Sequence, residues 1–210
     1  MKRAIFLSAA AALILCGLVS CSSAPSFVPE GSTDIGSIEL PGSYVFDEPS
    51  GTFTLTASGE NMWLEQDAFF FVWKKVEGDF EISGDIAFEG EGFNAHRKLG
   101  FIIRESLEPG SRYADIAIHG DGLTSLQYRP QEGAQTEESV SANKAPSTIM
   151  LARRGDVIAV RTGNGCLPES DDTSITLEFP QECYVGLFLC SHETDVLETA
   201  HFSNVALNFR

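Results

Sequence analysis

Arg104, Tyr113, Asp115, Gln127 and Arg129 are the side chains of this chain best suited to recognition chemistry, provided that three short apolar runs pair as neighbouring strands. In "KLGFIIR" (98–104), Leu99, Phe101 and Ile103 alternate with Lys98, Ile102 and Arg104. In "YADIAIH" (113–119), Ala114, Ile116 and Ile118 alternate with Tyr113, Asp115 and His119. In "TSLQYR" (124–129), Leu126 and Tyr128 alternate with Ser125, Gln127 and Arg129. Successive strand side chains point to opposite faces, so the apolar set packs inward and the polar set shares an outer face. Planar donors and acceptors beside an aromatic ring suit a sugar: polar groups fix its hydroxyls and the ring covers its apolar side. The same pattern equally describes a solvated sheet face laced with cross-strand ion pairs. His192 is placed near the edge of this face.

Other chemistries have weaker support. His96, His119, His192 and His201 are accompanied by no G-x-S-x-G elbow, and no C-x-x-C pair or histidine cluster has metal-site spacing, so no cofactor or metal is expected. Gly120-Asp121-Gly122 is too short for a calcium loop and reads as a hairpin turn.

The elements that must position these residues are strands. Eleven runs rich in Val, Ile, Phe, Tyr and Thr follow one another between residues 51 and 209, each bounded by Gly, Pro, Asp or Ser. Turn signals such as Glu77-Gly78-Asp79, Pro109-Gly110 and Arg154-Gly155-Asp156 separate them. No segment holds a helical stripe for three turns. The spacing predicts an all-β, two-sheet sandwich. Its expected core includes Trp63, Phe70, Phe80, Phe101, Ile103, Ile116, Tyr128, Leu187 and Phe202.

The N-terminus reads as an export signal. Met1-Lys2-Arg3 is a basic start, and Ala4 to Val19 is an apolar run short for a membrane span. Leu18-Val19-Ser20-Cys21 resembles a bacterial lipobox, which makes Cys21 the expected lipidation site. Residues 1–20 are the expected signal peptide, and 21–42, rich in Ser, Pro and Gly, a flexible tether. Residues 43–210 are the expected domain. Ser22 after the lipidated position differs from the Asp of inner-membrane retention, so the expected location is the cell envelope, at the outer membrane.

The formal charge is −16, and −18 once residues 1–20 are removed. Such a surface repels nucleic acid and anionic lipid headgroups, so any membrane attachment comes from the lipid alone. Of the remaining cysteines, Cys166 and Cys183 flank a polar loop whose base they could staple. Cys190 reads as a small core residue.

"KLGFIIRESLEPGSRY", "SLQYR", "LARRGD" and "YVGLFLCSHETDVLETAHFSNV", in that order, resemble the concanavalin-A-like domain family named for regulation of enolase protein 1. "ASGENMWLEQDAFFFVWKKVEGDFEISGDI" is similar to that family's opening. The resemblance spans roughly residues 43–209 and implies a concanavalin-A-like jelly roll, in a domain style appended to secreted and glycan-related bacterial proteins. Arg104, Glu105, Gln127, Tyr128, Arg129, Ser191 and His192 fall on its recurrent polar motifs, and Trp63 on its early tryptophan. "CLPESDD" departs from the family's usual hairpin after "VIAVRTGNG".

Glu193-Thr194-Asp195-Val196-Leu197-Glu198 also fits E-x-D-x-x-E, the bulged motif of family-16 glycoside hydrolases, where three carboxylates on one face perform retaining cleavage. Thr194 and the nearby C-terminus argue against that use. The leading expectation is therefore a non-catalytic polysaccharide- or oligosaccharide-binding lipoprotein. A glycan-cleaving enzyme of the same fold and a protein-binding envelope protein are the alternatives. Alternation finally places Arg104 at the surface and Glu105 inward, paired with Arg112 across the Pro109-Gly110 turn.

Overall fold

A computed structural model describes residues 27–210, and these form fourteen strands. The first eight are β1 (Gly31–Ile35), β2 (Ser43–Asp47), β3 (Thr52–Gly59), β4 (Phe69–Glu77), β5 (Phe80–Phe88), β6 (Lys98–Arg104), β7 (Tyr113–His119) and β8 (Thr124–Arg129). The remaining six are β9 (Glu137–Val140), β10 (Thr148–Arg154), β11 (Val157–Gly163), β12 (Thr173–Thr176), β13 (Glu182–Cys190) and β14 (Glu193–Phe209). They make two seven-stranded antiparallel sheets, ordered β1-β4-β13-β6-β7-β8-β9 and β12-β11-β10-β5-β14-β3-β2. The two-sheet sandwich expected from the strand pattern is the fold of the described residues.

All eleven expected runs are strands. The three additional ones, β1, β2 and β9, lie at sheet edges. Edge strands pair on one side only, so they are short and half-exposed and lack the apolar alternation by which inner strands are recognised. The turns fall where glycine permits them. Gly78, joining β4 to β5, and Gly155, joining β10 to β11, have φ of 76° and 61°, a region costly for other residues.

The inner faces of the two sheets pack into one core containing Phe70, Phe80, Phe101, Ile103, Ile116, Leu187 and Phe202, with Tyr128 partly buried against it. A second apolar cluster lies on the other face of the first sheet. It contains Ile35, Phe69, Phe71, Ile102, Tyr113, Phe188 and Cys190, together with Met62 from the loop between β3 and β4. This explains "AFFFVWKKV": Phe70 and Val72 enter the sandwich core, whereas Phe69 and Phe71 enter the second cluster. A strand buried on both faces reads as a continuous apolar run.

Two expectations are corrected here. Part of the expected tether is folded: Phe27 is buried in the sandwich core, and β1 pairs with β4 from Gly31↔Trp73 to Ile35↔Phe69. The Glu30 amide donates to the Trp73 carbonyl at 2.8 Å, so the domain begins before residue 43. Trp63 is not a core residue. It is half-buried in the loop over the first sheet. The signal peptide and the Cys21 lipidation site lie outside the described residues. Cys166 is exposed, Cys183 is buried, and both are free thiols.

Candidate ligand-binding cleft

The strand registers bring the five expected site residues onto one face. Arg104 pairs with Tyr113 and Tyr113 with Arg129; Asp115 pairs with Gln127, and Lys98 with His119. That face is not solvated, however. Arg104, Tyr113, Asp115, Gln127 and Arg129 are all at most 1% exposed, because the β3–β4 loop and the second apolar cluster lie over them. Arg104, Tyr113 and Arg129 form a latch, Gln127 lines a cleft, and Asp115 is buried beside it.

The latch is centred on Asp67, from the β3–β4 loop. Asp67 Oδ2 accepts from Arg104 Nη1 at 2.6 Å and Arg129 Nη1 at 2.8 Å, and Oδ1 accepts from Arg129 Nη2 at 2.7 Å. Backbone carbonyls take the remaining guanidinium protons. Arg104 donates to Ser106 and Glu108, and Arg129 to Leu64, Ser111 and Ala134. The guanidinium carbons lie 5.7 Å (Arg104) and 5.0 Å (Arg129) from the Tyr113 ring centre. Tyr113 donates its hydroxyl proton to the Met62 carbonyl at 2.7 Å, and burial pushes its pKa well above the usual phenol range. Every strong donor is consumed internally, so Arg104, Tyr113 and Arg129 hold the loop and cannot contact a ligand.

The Arg104–Glu105 assignment is therefore reversed. Arg104 is enclosed, and Glu105 is exposed beyond the end of β6, where strand alternation no longer applies. The expected Glu105–Arg112 pair does form, at 3.5 Å, in a solvated setting worth little to stability.

Gln127 belongs to the floor of a cleft of about 290 Å³, and Asp115, its partner in the strand register, is buried beside it outside the cleft lining. Gln127, Lys98 and His119 line it from the sheet, Asn61 and Trp63 from the loop, and His96, Glu138 and His192 around the mouth. Lys98 Nζ donates to Asn61 Oδ1 at 3.0 Å and lies 5.8 Å from the Trp63 ring centre. The His96 ring centre is 6.3 Å from that of His119 and 5.6 Å from that of His192. A tight turn presents His192, whose φ is 64°; Ser191 Oγ braces it by accepting from the Glu193 amide at 3.1 Å. Beside the cleft opens a broader groove of about 960 Å³, which shares Asn61 and His192 and carries Glu60, Glu65 and Glu193.

The floor is polar but unsatisfied. Gln127 Oε1 there, and Ser125 Oγ and both carboxyl oxygens of Asp115 on the same sheet face outside the cleft lining, are buried without a hydrogen-bond partner among the described residues. Such atoms are rare in folded proteins, and each costs about 1–3 kcal/mol. Burial raises the Asp115 pKa well above the usual carboxylate range, against the pull of Lys98, and so favours the neutral acid. Burial likewise lowers Lys98, and takes His119 down to about 4 with help from the Lys98 charge. His192 is lowered for the same first reason.

The E-x-D-x-x-E stretch does contain a bulge, since the pairing of β14 with β3 shifts between Glu193 and Glu198. Its carboxylates are nevertheless dispersed. Glu198 is buried on Arg97 and accepts the Phe93 amide at 2.7 Å, Glu193 accepts from Asn94 Nδ2 at 2.7 Å, and Asp195 is exposed. Among the described residues, no group of three His, Cys, Asp or Glu side chains is arranged to hold a metal ion.

The sequence pattern did not reveal the roles of Lys98, Asn61 and Asp67, and it favoured the core for Trp63, with binding as the lesser reading. A charged residue opening a fully apolar strand run was the available signal for Lys98. For Asn61 and Asp67 there was none, because a loop's docking position has no periodicity.

No family model and no curated protein matches the chain. Solved structures do. A functionally unknown protein from Saccharomyces cerevisiae superposes with a TM-score of 0.60 at 14% identity, over 80% of this chain and 96% of that one. The alginate lyase A1-II′ of polysaccharide lyase family 7 superposes at 0.52 and 9% identity, over 79% and 82%. The Bacteroides ovatus xyloglucan PUL GH43B gives 0.51 and 9%, over 80% of this chain and 34% of that one. At these identities the likeness is one of fold.

Proposed function

We propose that this chain is a non-catalytic glycan-binding module and that the cleft beneath Trp63 is its binding site. The observation that carries the reading is the unsatisfied floor. Gln127 keeps an unused hydrogen-bonding oxygen on the floor of a cleft that an aromatic ring borders, and Lys98 beside it has ammonium protons to spare. Sugar hydroxyls both donate and accept, so they match this mixed set, and the indole offers an apolar plane for the ring. Several similar folds carry names of enzymes acting on polysaccharides, which agrees with the reading. Binding is favoured over cleavage because Glu198 of the E-x-D-x-x-E stretch is locked on Arg97.

A glycan array of plant, host and bacterial polysaccharides tests the proposal. Wild-type protein should bind at least one glycan, and Trp63→Ala should weaken that binding by tenfold or more, about 1.4 kcal/mol. Silence across the array, or equal binding by the variant, would reject it.

The location is proposed with it. Cys21 carries a lipid that holds the module at the envelope. Radiolabelled palmitate should enter the wild-type chain and not a Cys21→Ala variant; equal labelling of the two would exclude the anchor.

A further inference from the structure

The charge of the ligand can be read from Lys98. Its side chain is 3% exposed, and its ammonium has one hydrogen-bond partner, Asn61 Oδ1. Among the described residues no carboxylate lies within 4 Å of it, whereas Lys74 and Lys75 are ion-paired to Glu30 and Glu182 at 2.9 and 2.8 Å. The other buried cation without a carboxylate, Arg153, differs: its guanidinium is satisfied by the carbonyls of Gly155, Phe179 and Pro180. An ammonium has three protons to place, and Lys98 lines an open cleft with two of them unassigned. Removing a cation from water without an anion or a full set of acceptors is costly, so the free protein holds this one at a disadvantage that a ligand can relieve.

We infer that the sugar bound in this cleft carries a carboxylate, a uronate, and that Lys98 is the counter-ion to it. This rests on the glycan-binding reading above. Asp115 is buried outside the cleft lining, where burial favours its neutral acid and so weakens any repulsion of such a ligand. Gln127 accepts from a hydroxyl of the same ring, and Trp63 covers its apolar side. The preference cannot come from the overall field, because a formal charge of −16 repels anions. It must be local, and so one residue should control it.

The test compares acidic oligosaccharides with their carboxyl-reduced twins, in which the carboxylate becomes a hydroxymethyl group and the ring is otherwise unchanged. The probes are trigalacturonate, trimannuronate and a xylo-oligosaccharide bearing one glucuronate, each titrated calorimetrically beside its twin. Wild-type protein should bind at least one acidic form tenfold or more tighter than the reduced form. Lys98→Met should bind both forms equally and weakly, and Lys98→Arg should retain part of the preference. Retained binding of the reduced twin by Lys98→Met shows that the cleft is folded; if that signal is too weak, an unfolding midpoint no lower than that of the wild type shows the same. Equal wild-type affinity for acid and twin, or a preference that survives in Lys98→Met, overturns the inference and leaves the glycan reading standing. If array and titrations alike show no binding, both fall.

Discussion

Asp67→Asn should lower the stability of the domain by about 4 kcal/mol, a loss expected when one partner of a buried ion pair is removed. Asp67 is fully enclosed and its two oxygens serve both Arg104 and Arg129, themselves 0% exposed. Asparagine is nearly isosteric but neutral, and its amide group would face a guanidinium that also donates. Two buried cations would then share no anion. For a domain of this size the loss corresponds to a drop in the thermal midpoint of roughly 10 °C. The damage should begin in the β3–β4 loop, whose ends are tied by Ala68 N to Asn61 O at 2.7 Å and Asp67 N to Pro109 O at 3.0 Å. Hydrogen exchange of these amides should rise before that of the sandwich core. Replacing all three residues together, as Asp67→Leu, Arg104→Met and Arg129→Met, should recover part of the stability, because no unpaired charge remains. Denaturant unfolding of the single variant decides the matter. A loss below about 1 kcal/mol, the range of exposed pairs, would mean that the arginines stand in water.

The second large effect is a pH dependence assigned to His119. Its folded pKa is about 4, below the ordinary 6.5 expected of the unfolded chain. Between those values the unfolded chain binds a proton that the folded domain refuses. His119 therefore favours the fold fully above about pH 6.5, and this contribution is lost as pH falls towards 4. A shift of that size amounts to about 3 kcal/mol across the window. Asp115 acts in the opposite sense. Its raised pKa destabilises the fold as pH rises above the ordinary carboxylate value, so the wild-type profile alone mixes the two. Urea unfolding of wild type and His119→Gln at pH 7, 5.5 and 4 separates them. The wild type should lose about 2–3 kcal/mol relative to the variant between the first and last points. Parallel profiles would show that the imidazole titrates in water.

Much of the architecture was legible because strand alternation, turn glycines and apolar runs are local. Each of the eleven expected strands is marked within its own few residues, and so are the turns at Gly78 and Gly155. The registry of Arg104, Tyr113, Asp115, Gln127 and Arg129 on one face was equally legible, since alternation and short hairpins determine it together. Alternation cannot say what lies above a face. The continuous apolar runs of β4 and β6 did carry the relevant signal, as strands that alternate into solvent do not place Phe69, Phe70 and Phe71 in succession.

What covers that face was decided only by tertiary structure. The β3–β4 loop reaches it from 30 to 70 residues away in the chain, and its docking depends on contacts between Asp67, Met62, Arg104, Tyr113 and Arg129 that no short window contains. That covering put Arg104, Tyr113 and Arg129 into a closed latch, buried Asp115, left Gln127 at the base of a cleft, and made Lys98 a buried cation facing that cleft. A strand pattern specifies direction along one element. Solvent access depends on every element that folds over it, and it is access that distinguishes a residue able to meet a ligand from one already bound to the protein.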